Sequence, residues 1–476
     1  MRRTVEIEDL APGGEGVGRL DGRAVFVPFA GPGDRVEADV PPGEGPAHAT
    51  LLRVVREGPE RVAPPCRHFG LGYRAEVQPD EAGPERQGGP GGREVASRSG
   101  RDRVAPRNDA GCGGCEWLHA PYARQLATKE RTLAEALRRI GRFEPGGYEA
   151  RPILASPHPL RYRSRAKFHL DRASGRLAFF RRRSHAPVRL EECHLLEPGL
   201  DALRAAVGPA LAAARLEPRE VSLEWSEGEG RGSAALRLPE LTPAVRARAE
   251  GLVAAVPALA GAVLLAEGAP PALAGAPVLR LARDPGRPEA GTQRTRPDVF
   301  QQANRAANAL LVEAALALLA PEGEDVLELY CGAGNFTGPL AARARSVAAV
   351  EAQGPALDLA RADAVEAAAA GRGGAVRFFA GDALALARAF AREVGSSAPR
   401  WGAVLLDPPR EGARGVGAAL RELGAPRAVY VSCDPATFAR DLRACAEAGY
   451  RLAAVQPVDL FPQTHHVEGV ALLVPR

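Results

Sequence analysis

Asp325-Val326-Leu327-Glu328-Leu329-Tyr330-Cys331-Gly332-Ala333-Gly334-Asn335 decides how the C-terminal part of this chain folds. Its first six residues read as a short apolar strand, Cys331 to Asn335 as a glycine turn, and Phe336 onward as a helix. Val347 to Glu351 reads as the next strand and ends in an acid, 19 residues after Gly332. That is the doubly wound arrangement, in which glycines let the backbone approach a ligand and a later acid takes ribose hydroxyls. A glycine turn alone is a weak signal. Gly381-Asp382 and Asp407-Pro408-Pro409 strengthen it. Only two glycines stand in the turn, with no third in dinucleotide register, which favours S-adenosylmethionine over a nicotinamide dinucleotide.

Downstream, the apolar run before Tyr430-Val431-Ser432-Cys433-Asp434-Pro435 reads as a strand with a thiol at its end. Glu468 follows later. A thiol, a cofactor-type strand end and a late carboxylate suggest covalent chemistry on a carbon that needs activating. A methyltransferase acting on nitrogen or oxygen needs no such thiol. Cys433 is therefore the candidate nucleophile, exposed at its strand end, with nearby cations expected to lower its pKa. The bland reading is a buried structural cysteine, which is the reading given to Cys331 and Cys445. Glu468 is the candidate base; a surface carboxylate is its bland alternative, and His465 and His466 are rival proton acceptors. Asp407 is placed at a strand's C-terminal end, facing the ligand cleft. Arg410 is read as a contact to RNA phosphate or a partner for an acid.

Working outward, 476 residues with 45 % hydrophobic composition suit two to four domains. A net charge of +4 excludes a global field, so any nucleic-acid contact must come from local patches. Of the 62 basic residues only Lys129 and Lys167 are lysine, a skew that looks like codon bias. No apolar run approaches a membrane span, and Met1 to Glu8 lacks the apolar core of a secretion signal. Seven cysteines read as thiols or metal ligands in a reducing cytoplasm. Residues 1–58 alternate apolar and polar positions between glycine turns, with Val5, Ile7, Val17, Val25, Val27, Val36, Val40, Leu51 and Val54 as strand positions of a small β-barrel. Residues 59–290 form a central α+β domain, within which 71–110 reads as a flexible polar insertion. A helix is expected from near Pro121 to about Ile140, and residues 291–476 form the cofactor domain.

Within the central domain, Arg161, Arg163, Arg165 and Lys167 alternate, and Arg172, Arg176, Arg181, Arg182, Arg183 and Arg189 follow, with Asp171 the one acid among them. On a strand from Tyr162 to Leu170 four cations share a face, interleaved with Tyr162, Phe168, Phe179 and Phe180. Such a surface suits phosphates and unstacked bases; the alternative is a solvated strand. Cys112-Gly113-Gly114-Cys115 is a tight chelating pair, and Cys66 and Cys193 are the other cysteines before the cofactor domain. Two close and two distant thiolates hold either tetrahedral zinc or an iron–sulfur cluster, and spacing does not choose.

Several of these motifs together resemble the bacterial RNA 5-methyluridine (uracil-C5) methyltransferases. Cys66-Arg67-His68-Phe69, Cys112-Gly113-Gly114-Cys115-Glu116-Trp117 and Glu192-Cys193-His194-Leu195 resemble that family's 4Fe–4S pattern, although 45 residues separate Cys66 from Cys112 where the family has a short gap. Phe300-Gln301-Gln302-Ala303-Asn304 resembles its F-x-Q-x-N segment, Leu329 to Thr337 its first cofactor motif, Val429 to Thr437 its nucleophile segment, and His466-Val467-Glu468 its base segment. Gly13 to Leu20 with Ala24 to Pro28 resembles a TRAM domain, an OB-like RNA-binding barrel. The resemblance implies an α/β and β protein: a TRAM barrel, a central domain carrying a metal cluster, and a Rossmann-like S-adenosylmethionine-dependent domain. It implies cofactor contacts by Gln302, Tyr330, Asn335, Glu351, Asp382 and Asp407, and cluster ligation by Cys66, Cys112, Cys115 and Cys193. It implies methylation of uracil carbon 5 in RNA, 23S ribosomal RNA first and transfer RNA second, through a Cys433 adduct at carbon 6. Two other classes compete: a non-catalytic RNA-binding ribosome-assembly factor, and an amine methyltransferase. The second lacks an aromatic after Asp407-Pro408-Pro409, where Arg410 stands.

Overall fold

Val5 and Ile7 point inward from the strand Arg2–Leu10 while Thr4, Glu6 and Glu8 stay exposed, the two-residue period of a half-buried strand. In the computed structural model, which describes residues 1–70, 111–393 and 401–476, this strand anchors a six-stranded sheet. Its order is Ala47–His48, Arg23–Val27, Gly16–Leu20, Arg2–Leu10, Arg35–Asp39, Thr50–Arg56. Val25, Val27, Val36, Val40 and Leu51 are buried as expected, whereas Val17 and Val54 are half-buried. Gly18 is required by close approach: a Cβ there would collide with the Glu6 carbonyl.

The chain divides into two units, Met1–Pro121 with Phe180–Val188, and Tyr122–Phe179 with Arg189–Arg476. In the first, Trp117 is fully buried and donates its indole N–H to Gly14 O at 3.0 Å. The expected insertion 71–110 lies outside the described residues. Its flanks adjoin, because a Cβ on Gly111 would stand 2.8 Å from Gly70 N.

The second unit opens with the helix Tyr122–Arg139. Leu133 and Leu137 are buried on it as expected, but Gln125, Thr128 and Lys129 are buried too, while Ile140 is 39 % exposed. The central sheet includes, in order, the strands Arg176–Phe180, Arg165–Asp171, Glu220–Ser226, Arg231–Arg237, Leu259–Leu265 and Ala272–Gly275.

The cofactor-type sheet has eight strands in the order Ala375–Ala380, Ser346–Glu351, Asp325–Leu329, Ala403–Leu406, Ala428–Ser432, Glu468–Pro475, Tyr450–Val458, Glu149–Ala150. The first five are mutually parallel, and Glu468–Pro475 inserts antiparallel beside Ala428–Ser432. Alternate strand residues feed two cores. Val326, Val347, Leu405 and Val429 face one side; Leu327, Leu329, Val404 and Leu406 face the other. Burial on both faces explains the continuous apolar runs. The order reverses at Asp325–Leu329, so a crevice opens at the carboxyl ends of that strand and Ala403–Leu406. Among the described residues no helix is long and apolar enough to cross a membrane.

Candidate active site

The backbone at the first crevice strand is strained where it leaves the sheet. Tyr330 is a non-glycine residue in the left-handed region at φ 63°, followed by Gly332 at φ 55° and Gly334 at φ 87°. A Cβ at Gly332 would meet nothing within 4 Å, so this turn presents open backbone. Glu351 locks it in place: one carboxylate oxygen accepts Gly332 N–H at 3.0 Å and the other Gln353 N–H at 2.7 Å. Burial pushes the Tyr330 hydroxyl up to about 12, and the nearby charges of Asp382, Asp441 and Glu351 add to that push. Asp382 is exposed and accepts Ala385 N–H at 2.8 Å. These residues fit a bound nucleoside: open backbone, two acids and an aromatic at one sheet edge.

Cys433 lies between the strand Ala428–Ser432 and the helix Pro435–Glu447. Asp434 caps that helix, its carboxylate accepting Ala436 N–H at 3.0 Å and Thr437 N–H at 2.8 Å, and Pro435 sits at the first turn. Strand end, cap and proline thus fix the thiol just outside a helix N-terminus. The antiparallel register pairs Ser432 with Gly469, which brings Glu468 alongside Cys433. Cys433 is half-buried and Glu468 only 2 % exposed.

Electrostatics tie four groups together. Burial first, then the Glu468 carboxylate, pushes the Cys433 thiol up to about 12; Arg410 opposes this by its charge and by a side-chain hydrogen bond, and Asp407 adds to the rise. The expectation that nearby cations would lower this thiol's pKa is corrected in its net direction: Arg410 does lower it, but desolvation outweighs Arg410. Burial, with Asp407 second, pushes Glu468 up to about 8, against Arg410 and Lys129. Burial raises Asp407 to about 7. At neutral pH these shifts favour a neutral Cys433 thiol and a protonated Glu468 carboxyl. Arg410, which sequence reading left between two roles, stands beside the thiol, and its Nη2 lies 3.5 Å from His466 Nε2. Thr437 Oγ1 donates to Arg410 O at 3.0 Å, tying it to the nucleophile's helix.

Not every expected cofactor residue joins this group. The Asn335 side-chain amide exchanges two hydrogen bonds with that of Asn308, at 2.8 and 3.0 Å. Gln302 is buried, while Phe300 stands 71 % exposed beside it in sequence. Asn304 caps the helix Arg305–Leu319, accepting Ala307 N–H at 3.1 Å. Sequence reading missed Glu328. It is fully buried in the first crevice strand, accepts Thr337 Oγ1–H at 2.6 Å, and is raised to about 8 chiefly by burial. A lone carboxylate in an apolar run was its signal.

Much of the basic stretch is neutralised. The strand begins at Arg165, not Tyr162. Lys167 pairs with Glu220 at 3.0 Å, Arg165 with Glu224 at 3.9 Å, Arg172 with Glu217 at 3.1 Å and Arg161 with Glu192 at 3.4 Å. In the first unit Arg182 and Arg183 each lie 3.1 Å from Glu15. Phe168 is fully buried and stacked on Phe179, and Tyr162 is buried, so neither offers a platform for bases.

Cys66, Cys112 and Cys115 are buried in the first unit, where Cys112 N–H donates to His68 O at 2.9 Å. Cys193 is buried in the second, and burial raises its thiol. Among the described residues no three or more His, Cys, Asp or Glu side chains form a group that could hold a metal ion.

Comparison with known proteins agrees with the crevice. Residues 290–476 match the family model described as tRNA (Uracil-5-)-methyltransferase, and residues 2–41 match the TRAM domain. The chain is 33 % identical to the 23S rRNA (uracil(1939)-C(5))-methyltransferase RlmD of Pseudomonas putida, over 99 % of this chain and 93 % of that protein. It is 31 % identical to an uncharacterized RNA methyltransferase of Thermosynechococcus vestitus, over 98 % of this chain and 97 % of that one. The chain belongs to the RNA uracil-C5 methyltransferase family. The crystal structure of Pyrococcus abyssi tRNA (uracil-54, C5)-methyltransferase in complex with S-adenosyl-L-homocysteine shares its fold, with a TM-score of 0.67, 21 % identity and full coverage of both chains.

Proposed function

We propose that this protein methylates carbon 5 of a uridine in RNA, 23S ribosomal RNA before transfer RNA, with S-adenosylmethionine as methyl donor. The observation that carries the reading is the register that sets Glu468 beside Cys433 at the end of a cofactor-type sheet. Carbon 5 of uracil is a poor nucleophile. Cys433, its proton released to solvent, would add as thiolate to carbon 6; the sulfur pair would form the new bond, and the carbon 5–carbon 6 π pair would move onto carbon 5 and make it nucleophilic. Arg410, hydrogen-bonded to the thiol, would stabilise the sulfur's negative charge as it forms. Bound S-adenosylmethionine supplies the electrophilic methyl group. Glu468, as carboxylate, would then take the proton from carbon 5, and the carbon–sulfur bond would break to return the Cys433 thiolate. Carbon 6 is hidden in a stacked helix, so the uridine must be unpaired or flipped out. Glu351, Tyr330, Asp382 and Asp407 are assigned to the cofactor, with Gln302 and Asn335 assigned by resemblance alone. The TRAM barrel is assigned to flanking RNA, and such a substrate sets the protein in the cytoplasm.

A 4Fe–4S cluster on Cys66, Cys112, Cys115 and Cys193, with zinc as the alternative, rests on the resemblance and on the burial of all four thiols. No chemical step is assigned to it. Metal analysis and an absorption spectrum of anaerobically purified protein test it; metal-free, colourless protein with full activity rules it out.

The central test is methyl incorporation from labelled S-adenosylmethionine into 23S and transfer RNA, with wild type and Cys433→Ala. We expect 5-methyluridine in 23S RNA with wild type, none with the variant, and unchanged cofactor affinity. Normal methylation by Cys433→Ala would remove the nucleophile.

A further inference from the structure

A cleft of about 960 Å³ opens in the second unit among the helices Arg305–Leu319 and Gly354–Ala369 and the hairpin Leu279–Ala282/Thr292–Thr295. Ala333, Gly334 and Asn335 form part of its wall, but Gly332, Glu351, Asp382 and Asp407 do not. It therefore adjoins the crevice assigned to the cofactor and shares with it one turn of chain, including Asn335, while the other cofactor residues assigned above lie outside its wall.

The cleft is lined by cations whose charge is under-compensated. Arg305 is 4 % exposed. Its Nε and Nη2 donate to Ala282 O at 3.2 and 3.0 Å, while Nη1 has no hydrogen-bond partner among the described residues. Arg283 lines the same cleft and makes one long bond, Nη1 to Gly334 O at 3.3 Å. Burial, with Arg283's charge second, holds Arg305 down to about 10, so the two guanidiniums repel each other. Glu224 and Glu197 are the carboxyls whose charge acts on Arg305, but burial raises both, Glu197 to about 7, and neither bonds its Nη1. The other acids around the cleft are largely engaged elsewhere. Glu366 pairs with Arg280 and Arg294, Asp363 with Arg294, and Asp284 and Glu313 with Arg287. Glu328, the other carboxyl whose charge acts on Arg283 besides Asp363, is raised to about 8 chiefly by burial, which weakens it as a counter-ion at neutral pH. A buried cation without a matched anion is costly unless a ligand supplies one. An acceptor also waits there. Gln293 is 1 % exposed, its Nε2 donates to Ala333 O at 2.8 Å, and its Oε1 has no partner among the described residues.

We propose that this cleft is a second ligand site, and that its ligand is a small phosphate monoester carrying hydroxyl groups. The Arg305 and Arg283 guanidiniums take the phosphate, since planar forks of N–H donors match its oxygens. Gln293 Oε1 takes a hydroxyl. The volume suits a sugar phosphate or mononucleotide. An RNA strand is disfavoured, because its backbone phosphates would have to reach a guanidinium that is almost wholly covered.

Ribose 5-phosphate is the probe, titrated calorimetrically into the full chain already saturated with S-adenosylhomocysteine. Saturable binding is expected, tighter than inorganic phosphate, with ribose alone not binding. Arg305→Met should weaken it by about tenfold or more, the loss of charge-assisted hydrogen bonds. Arg283→Met, at a less covered position, should do likewise and carries the comparison if circular dichroism shows Arg305→Met unfolded. No saturable binding at millimolar ribose 5-phosphate overturns the site. So does binding that excess S-adenosylhomocysteine displaces, or that both folded variants retain. Equal affinity for inorganic phosphate overturns the hydroxyl contact, and Arg283-dependent binding of single-stranded RNA without binding of ribose 5-phosphate overturns the small ligand.

Discussion

Cys433 and Glu468 face each other in the states opposite to those the chemistry uses. The thiol is raised to about 12 and the carboxyl to about 8, both chiefly by burial. A base raised to that value takes protons well but is mostly protonated at pH 7. Proton removal from carbon 5 should therefore speed up as pH rises, and level off above about pH 8 where Glu468 is carboxylate. Single-turnover release of free methylated RNA from the Cys433 adduct, followed across pH, checks this; a flat profile through that range places the base elsewhere. Replacing Glu468 by Gln should let methylation proceed and trap the RNA on Cys433 as a gel-stable adduct. Arg410 acts on Cys433 through charge and a hydrogen bond, both of which lower its pKa. Arg410→Met should slow adduct formation about ten- to a hundredfold, the scale of one charge-assisted hydrogen bond. The loss should be smallest at high pH, where the thiol ionises unaided. Cys433 and Glu468 were legible as residue types from their motifs. Their shifted protonation was not, because burial is a property of the packed site.

At the scale of elements, the helix Tyr122–Arg139 shows why a periodic pattern underdetermines its partner. Its buried Lys129 pairs with Asp459 and donates to Phe461 O at 2.9 Å. Its Gln125 bonds the Gln463 side chain at 2.9 Å and accepts Gln463 N–H at 2.9 Å. These contacts hold the loop that leads into Glu468. Lys129→Met leaves Asp459 buried without its cation, and should cost about 3–5 kcal/mol in denaturant unfolding. The Lys129→Met/Asp459→Leu pair should recover much of that loss; no recovery would mean that packing and not charge is at stake. The strand Arg165–Asp171 teaches the complementary lesson. Cations counted along the chain looked unopposed, yet Glu217, Glu220 and Glu224 come from one neighbouring stretch and neutralise three of them. Antiparallel pairing of Arg165–Asp171 with Glu220–Ser226 brings these acids in, and no local count could foresee it.

Across the molecule, Gly70 and Gly111 adjoin, so a few residues are enough to join them. A short Gly/Ser linker in place of 71–110 should leave the first unit's melting transition intact or raised, because a shorter loop loses less entropy on closure, about 0.6 kcal/mol per halving. Loss of the transition in calorimetry would show that residues 71–110 are needed for folding. The chain's own order of residues determined the alternating barrel strands, the strand–glycine turn–acid unit, and the presence of a thiol and a late carboxylate, because period, turn chemistry and residue type act over short distances. Tertiary structure alone decided which charges remain uncancelled, which carboxyls keep their protons, and which side chains meet across the sheet. Those depend on groups far apart in sequence sharing one poorly solvated space.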